Sequence, residues 1–175
     1  MKRQEFQDRL QRKLPHQIVY VDEAGIDNRD DYAYGYCSVG QRFYGFKSGK
    51  RSKRVSWIAA LKQRDIFAAM TFTGSCNRDL FEMWLVDCLL PRLQPGDVIV
   101  IDNASFHHSQ YIEEVVADAG CEIWYLPPYS PDLNQIEHWW FVLKNWMRQR
   151  WDEFDTAVPA VIVLHNSGSR CYEGQ

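Results

Sequence analysis

The sequence predicts an α/β fold in which one mixed sheet is flanked by helices. In the first half of the chain, apolar and aromatic runs are joined by short turns, which favours antiparallel strands. In the second half, short apolar runs alternate with helical patterns. That order favours parallel strands, because a parallel crossover needs about a dozen residues or more. We therefore expect antiparallel first strands and parallel later strands within one sheet.

The N-terminal third of the chain combines polar, apolar and aromatic segments. In chain order, the patterns predict a polar helix or arm at 1–16 ended by Pro15, a strand at 18–21 closed by Asp22 and Glu23, an aromatic hairpin at 31–46 and a basic loop at 47–54. The run IVYV is short and wholly apolar, which is typical of a strand buried on both faces. The hairpin alternates aromatic with small or polar residues.

The remaining elements carry clearer start and stop signals. We expect strands at 55–61 and 66–72, a helix from the N-cap Asn77 to Pro91, a turn at Pro95-Gly96, a strand at 98–101, a helix at 110–119 between Ser109 and Gly120, a strand at 122–126 and a helix at about 132–149. The last helix has two possible starts. Asp132 can be its N-cap, with Gln135 completing a capping box, or Ser130 can precede Pro131 at the first helical position.

Composition limits the functions that the chain can have. Its 175 residues, 46% hydrophobic and 25% charged, are typical of one soluble globular domain. No apolar run approaches the roughly 20 residues that span a bilayer. The five cysteines are odd in number, scattered and never spaced as C-x-x-C, which argues against a disulfide framework or a zinc site and fits a reducing compartment.

Three acids form the candidate site. Asp22 and Asp102 each follow a predicted strand, and ligands of open α/β sheets gather at the carboxyl ends of strands. Because side chains alternate along a strand, we expect Asp22 to face the site and Glu23 the other face. Glu137 lies beside the apolar stripe of the last helix, so we expect it partly desolvated and directed at the sheet. The alternative for an aspartate at a strand end is a turn or cap residue.

An all-carboxylate set indicates a hard cation. With no ligating cysteine and no convincing histidine set, such a site suits Mg²⁺ or Mn²⁺ rather than zinc. Two such ions, about 3.5–4 Å apart, can clamp an in-line displacement at phosphorus. The pair His107-His108 offers a further metal site, but adjacent histidines rarely chelate one ion, and a supporting role for His107 is the preferred interpretation.

Three segments carry a family resemblance. YVDEAG at 20–25, IDNASFHHS at 101–109 and LPPYSPDLNQIEHWW at 126–140 resemble the three signature blocks of DDE transposases. The resemblance is greatest to the mariner superfamily, in its bacterial insertion-sequence branch (IS-six-thirty type). Thirty-four residues separate the second acid from the third, which is the spacing characteristic of that family. The resemblance covers about residues 17–150.

The resemblance implies a fold, a site and a domain division. It implies a ribonuclease-H-like DDE catalytic domain at 17–150, after an N-terminal arm or linker at 1–16 and before a C-terminal tail at 151–175. By this resemblance, the catalytic metal ligands are Asp22, Asp102 and Glu137. Asn103 and His107 match the D-N-x-x-x-H part of the second block and are expected to support the site.

The resemblance also implies an activity and partners. It implies Mg²⁺- or Mn²⁺-dependent cleavage of double-stranded DNA at transposon ends, strand transfer into TA-containing target DNA, two metal ions, a homodimer in the working complex and a cytoplasmic, nucleoid-associated location in a bacterium. Two departures bear on this. Gln135 stands where the family usually has proline, and no helix-turn-helix module precedes the first strand, so we expect such a module in a separate partner chain or an upstream reading frame. The alternatives are a ribonuclease-H-like nuclease without strand transfer and an inactive or regulatory DNA-binding remnant.

Local basic patches must bind DNA if this interpretation holds, because the net charge is −3. The candidates are Lys47, Lys50, Arg51, Lys53 and Arg54 in the basic loop and Lys144 and Arg148 on the last helix. The alternative for the loop is a solvated surface segment without a ligand.

Overall fold

The computed structural model describes residues 3–26, 39 and 54–148. The predicted hairpin, apart from Val39, lies outside the described residues, as do the basic loop before Arg54 and the C-terminal tail. Five strands are described: β1 (Ile18–Ile26), β2 (Val55–Lys62), β3 (Asp65–Thr73), β4 (Val98–Ile101) and β5 (Glu122–Tyr125). The α-helices are α1 (Arg3–Gln11), α2 (Arg78–Trp84), α3 (Gln110–Asp118) and α4 (Ile136–Arg148), and short 3-10 turns occupy Pro15–Gln17, Ser105–His107 and Pro131–Leu133.

The strands form one mixed sheet in the order β3-β2-β1-β4-β5. β1 pairs with β2, and β2 with β3, in antiparallel directions, whereas β4 is parallel to both β1 and β5. The predicted change from antiparallel to parallel pairing along the chain is therefore confirmed. Helices cover both faces, because α1 and α4 pack against one hydrophobic cluster of the sheet and α2 and α3 against the other.

β1 is longer than the sequence suggested. We expected Asp22 and Glu23 to close the strand, but β1 continues to Ile26. The reason is its antiparallel partner: β2 pairs with β1 as far as Ile26 and Val55, whereas the parallel pairing with β4 ends at Tyr20 and Val100. Asp22 is therefore still paired with β2 in the antiparallel direction. With respect to β4, it lies two residues beyond the last pair of the parallel ladder.

The local helix signals were predicted correctly. The Asn77 side chain accepts a hydrogen bond from Leu80 N (2.9 Å), and Ser109 Oγ accepts one from Ile112 N (3.1 Å). Gly120, after α3, has a φ of +72°, a backbone conformation that favours glycine. α2 continues as a π-helical turn at Leu85–Leu89 and ends in a 3-10 turn at Leu90–Arg92.

The start of α4 differs from both predicted starts. Pro131–Leu133 form a separate 3-10 turn, and the helix begins only at Ile136. Between them, Asn134 is extended, with φ −93° and ψ 102°, and its Nδ2 donates a hydrogen bond to Val21 O (3.0 Å). Asp132 does not cap the helix, because its carboxylate pairs with Arg3 of α1. A tertiary contact with β1 therefore determines where α4 begins.

Within the described ranges, none of the helices has the length and apolar character required to cross a membrane.

Candidate active site

The three predicted acids line one open cavity of about 380 Å³. Asp22 comes from β1, Asp102 follows β4, and Glu137 lies in the first turn of α4. The register explains the first two positions. Tyr20 pairs with Val100 in parallel strands, so Asp22 and Asp102, each two residues further on, occupy equivalent positions beyond the end of the ladder. The sheet therefore places two carboxylates side by side, and α4 supplies the third.

Asp22 is the most electrostatically crowded of the three acids. Burial raises the pKa of this carboxyl well above its ordinary value, and the nearby negative charges of Glu137, Glu23 and Asp102 raise it further. The indole of Trp140 opposes them by donating a hydrogen bond from Nε1 to Asp22 Oδ2 (2.9 Å). A cation bound in the cavity would relieve this crowding, because an opposite charge favours the ionised carboxylate.

Glu137 is exposed, contrary to the expectation of a partly desolvated carboxylate. Its neighbours in the helix explain the difference: Ile136 and Trp140 are the buried residues of this turn, and residues 137–139 between them face solvent. The acid that the Trp-rich helix face desolvates is Asp22 rather than Glu137.

Asp102 is held by two local contacts. Its Oδ1 accepts a hydrogen bond from Ala104 N (3.0 Å) and lies 2.8 Å from His107 Nδ1. Burial alone would raise the pKa of Asp102, but the contacts with His107 and the Ala104 N–H outweigh it and lower the pKa. Asp22 and Asp102 therefore line the same cavity, but the pKa of Asp22 is raised above its ordinary value and that of Asp102 is lowered.

His107 connects Asp102 to Glu23. The ring is fully buried between Phe81 and Phe106, with ring centroids 4.4 and 4.1 Å away, and its Nε2 lies 2.9 Å from Glu23 Oε1. Burial opposes protonation of the ring, but the two carboxylates outweigh it and raise the pKa of His107 to about 9. The buried ring of His107 thus lies between the carboxylates of Glu23 and Asp102.

The other histidine of the pair has different partners. His108 Nε2 lies 2.7 Å from Asn103 Oδ1, and its ring stacks on Tyr125 with centroids 3.9 Å apart. Asn103 itself lines the cavity beside Asp102. Because His107 and His108 contact different groups, the described geometry does not make them a chelating pair.

The predicted DNA contacts are not gathered at the cavity. Lys47, Lys50, Arg51 and Lys53 lie outside the described residues, and Arg54 is exposed immediately before β2. Lys144 and Arg148 are half-buried on α4, and Arg148 Nη1 donates to Asn145 Oδ1 (2.9 Å). None of the three described basic residues lines the cavity, so their role in binding DNA stays a prediction.

The chemistry of the cavity fits a hard divalent cation. It is lined by three carboxylates, and Mg²⁺ and Mn²⁺ prefer oxygen ligands. Among residues 3–26, 39 and 54–148, no three acidic, histidine or cysteine side chains are already close enough together to hold an ion. Ligation therefore requires side-chain movement, for which the exposed Glu137 has the freedom.

Three contacts of the site were missed at the level of sequence. They are the indole of Trp140 on Asp22, the amide of Asn134 on β1 and the carboxylate of Glu23 on His107. Trp140 and Asn134 carried no local signal beyond their residue types, since only the packing of α4 on β1 brings their polar atoms to these partners. Glu23 was correctly expected on the face opposite Asp22, but its partner was not identified.

Fold and site together define a ribonuclease-H-like α/β domain with an acidic cavity at the carboxyl end of its central parallel strands. The family model of the DDE superfamily endonuclease matches residues 17–157, and the chain belongs to this family. No curated protein matches the sequence significantly.

Solved structures of similar fold include those of the Mos1 transposase. The chain is 18% identical to the protein in a pre-cleavage Mos1 transpososome, with a TM-score of 0.66 over 88% of this chain and 53% of that one. It is 21% identical to the protein in the Mos1 mariner paired-end complex with Mn, with a TM-score of 0.63 over 87% of this chain and 52% of that one. It is 19% identical to the Mos1 catalytic domain, with a TM-score of 0.57 over 88% of this chain and 77% of that one. At such identities the likeness establishes the fold. The chain spans about half the length of the Mos1 chains in the transpososome and the paired-end complex.

Proposed function

We propose that the chain is the catalytic domain of a DNA transposase of the mariner superfamily, in its bacterial insertion-sequence branch. The observation that carries the proposal is that Asp22, Asp102 and Glu137, from three separate elements, line one cavity in a member of the DDE endonuclease family. The similar Mos1 structures include a strand transfer complex and paired-end complexes with Mn and with Mg. The likeness to these complexes supports the proposal of DNA cleavage and strand transfer with a divalent metal for this chain.

Asp22, Asp102 and Glu137 are the proposed ligands of two Mg²⁺ or Mn²⁺ ions. Such a pair supplies charge stabilisation for an in-line displacement at phosphorus. The protein's own part is positioning. Trp140 orients Asp22 through its indole N–H, and His107 with the Ala104 N–H orients Asp102. Water is the nucleophile when the transposon end is cut, and the freed 3′-hydroxyl is the nucleophile when that end is joined to target DNA.

Asn134 positions the third acid. Asn134 lies two residues before α4. Its side-chain Nδ2 donates a hydrogen bond to the carbonyl of Val21 in β1, one residue before Asp22, and its backbone carbonyl accepts a hydrogen bond from Glu137 N (3.2 Å). The turn that carries Glu137 is thereby fixed to the strand that carries Asp22. Asn103, on the cavity wall, completes the set of supporting residues.

The proposed partners are double-stranded transposon ends, a TA-containing target and a second copy of the chain in the working complex. A helix-turn-helix module that recognises the transposon ends is a further proposed partner. Lys47, Lys50, Arg51, Lys53 and Arg54 of the basic loop, with Lys144 and Arg148, are the proposed backbone contacts. They offset the net charge of −3 locally.

A cleavage and joining assay with the full chain tests the proposal. We expect cleavage of plasmid DNA carrying the inverted repeats that flank the gene, in Mg²⁺ or Mn²⁺ but not in EDTA, followed by a joined product. Asp102→Asn should abolish cleavage, whereas Asp118→Asn, an exposed acid of α3, should leave it unchanged. Full cleavage by Asp102→Asn would refute the assignment. Nicks without any joined product would favour a nuclease without strand transfer.

A further inference from the structure

A second cavity adjoins the first at Glu137. It has a volume of about 520 Å³ and lies between the β2–β3 turn and the start of α4. Asn134 and Glu137 line both cavities, so the two open spaces meet at the third acid. On this geometry, which rests on the proposed function, we infer that the two cavities form one groove for an unpaired DNA strand. Tyr129 stacks on a base at one end, and Arg64 contacts a backbone phosphate at the other.

Tyr129 combines an exposed ring with an unusual backbone conformation. It lines the first cavity, its side chain is fully exposed, and its φ is +55°. A positive φ is unusual for a bulky residue, and such strain is concentrated at ligand and catalytic sites. Pro128 before it and Pro131 after it restrict the loop. No ring contact joins Tyr129 to another aromatic residue of the described part of the chain.

An exposed aromatic ring beside the acids fits an unpaired base rather than a duplex. Every base offers a flat face for stacking, and that face is accessible only when the base is single-stranded or has left the helix. Because Tyr129 lines the same cavity as Asp22 and Asp102, a base stacked on its ring would belong to a nucleotide close to the reacting phosphate.

Arg64 supplies the positive charge of the second cavity. It is exposed in the tight turn between β2 and β3, next to Gln63, whose φ is +58°. No ion pair joins it to another residue that the structure describes. The two carboxylates of this cavity have other roles, since Asp132 pairs with Arg3 and Glu137 is a proposed metal ligand. Arg64 is therefore available to a phosphate.

Fluorescence of a single-stranded probe tests the stacking half of the inference. The probe is a 20-nucleotide dT oligonucleotide with one 2-aminopurine, bound by the full chain in Ca²⁺ so that cleavage does not interfere. We expect a fluorescence change that Tyr129→Phe retains. Tyr129→Ala should lose it and bind about fivefold or more weakly. Tyr111→Ala, an exposed tyrosine of α3 outside both cavities, is the control and should behave as the wild type. An unchanged signal and affinity in Tyr129→Ala would overturn the stacking role.

The salt dependence of the same binding tests the phosphate contact. Loss of one contact to single-stranded DNA should reduce the slope of log K against log salt by about 0.7. We expect this for Arg64→Ala but not for Arg64→Lys, nor for Arg12→Ala, an exposed arginine outside both cavities. Equal slopes for Arg64→Ala and Arg12→Ala would reject the contact.

A duplex probe and the cleavage assay complete the design. If a fully paired duplex of the same length depends equally on Tyr129, the assignment to an unpaired strand is wrong. Because these readouts score binding alone, a chain that stacks and contacts phosphate but never cuts DNA would uphold the groove and reject the transposase. If the chain cuts DNA equally well without Tyr129 and Arg64, the groove would be rejected and the proposed transposase activity would stand.

Discussion

Asp22 and Asp102 show how neighbouring carboxylates acquire different acidities. Both lie just beyond the β1–β4 ladder, yet burial and three negative neighbours raise the pKa of Asp22, whereas His107 and a backbone N–H lower that of Asp102. In the absence of metal, ionised Asp22 therefore costs the folded state free energy, and ionised Asp102 does not. A bound divalent cation would stabilise the ionised carboxylate of Asp22, so the electrostatics of the site favour the metal-bound state.

Asp22→Asn tests this cost in metal-free buffer. A folded pKa above the unfolded value means that the folded state holds the proton more tightly, so the stability contributed by Asp22 is greatest at low pH and falls as pH rises through the folded pKa. We expect Asp22→Asn to increase the free energy of unfolding at pH 7 and to change it little at pH 3. Urea titration at both pH values measures it, with Asp118→Asn as the control. Destabilisation of Asp22→Asn at pH 7 would contradict the account.

His107→Gln tests the buried link between Glu23 and Asp102. The pKa of His107 is raised from 6.5 to about 9, so its contribution is complete below pH 6.5 and is lost as pH rises through about 9. We expect the variant to lose about 1–3 kcal/mol of unfolding free energy at pH 6, and the difference to narrow above pH 9. Denaturant titration across this range measures it. His138→Gln, exposed on α4, should show no comparable loss, and a deficit that does not change with pH would rule out the ionic contribution.

Boundaries of helices and strands that depend on local contacts were predicted correctly from the sequence, whereas boundaries that depend on tertiary contacts were not. Asn77, Ser109 and Gly120 act within a few residues of their own position, so sequence alone predicted the start of α2 and both ends of α3. The length of β1 depends on pairing with β2, and the start of α4 depends on the contact between Asn134 and Val21. Neither partner is near in sequence, and both boundaries were therefore predicted wrongly.

Asn134→Asp tests whether that contact positions Glu137. The substitution keeps the shape but replaces the amide donor with an oxygen that faces the Val21 carbonyl. We expect a loss of about 1–3 kcal/mol in unfolding free energy and a larger loss of metal-dependent cleavage than stability explains. Gln135→Ala, exposed in the same turn, should stay within about 0.5 kcal/mol of the wild type. Normal cleavage by folded Asn134→Asp would remove Asn134 from the positioning set.

At the scale of the whole molecule, the sheet order was predictable and the packing of the first helix was not. Short turns and helical crossovers determine strand direction, and both are visible in sequence. The polar composition of residues 1–16 does not show that Phe6 is fully buried, with its ring 6.3 Å from that of Trp124, or that Arg9 lies over the same indole. Asp22 and Asp102 lie side by side because the pairing of β1 with β4 ends two residues before each of them, although β1 itself continues beyond Asp22. The exposure of Glu137 depends on how α4 packs, which the sequence does not show.

Phe6→Ala tests the contribution of α1. Removing a fully buried aromatic ring should lower the free energy of unfolding by about 3 kcal/mol or more, because the ring loses its apolar contacts and leaves a cavity. Leu14→Ala removes an exposed apolar side chain after the same helix and should cost less than about 0.5 kcal/mol. Thermal and urea unfolding measure both variants. Equal stability of Phe6→Ala and Leu14→Ala would show that α1 does not contribute to the core.

Anomalous diffraction from crystals soaked in Mn²⁺ shows whether Asp22, Asp102 and Glu137 together hold divalent metal. We expect two Mn²⁺ peaks about 3.5–4 Å apart in the cavity, within bonding distance of all three carboxylates, with Glu137 rotated toward the sheet. Crystals without a peak in the cavity at saturating Mn²⁺, or with Mn²⁺ that leaves Glu137 unligated, would contradict it.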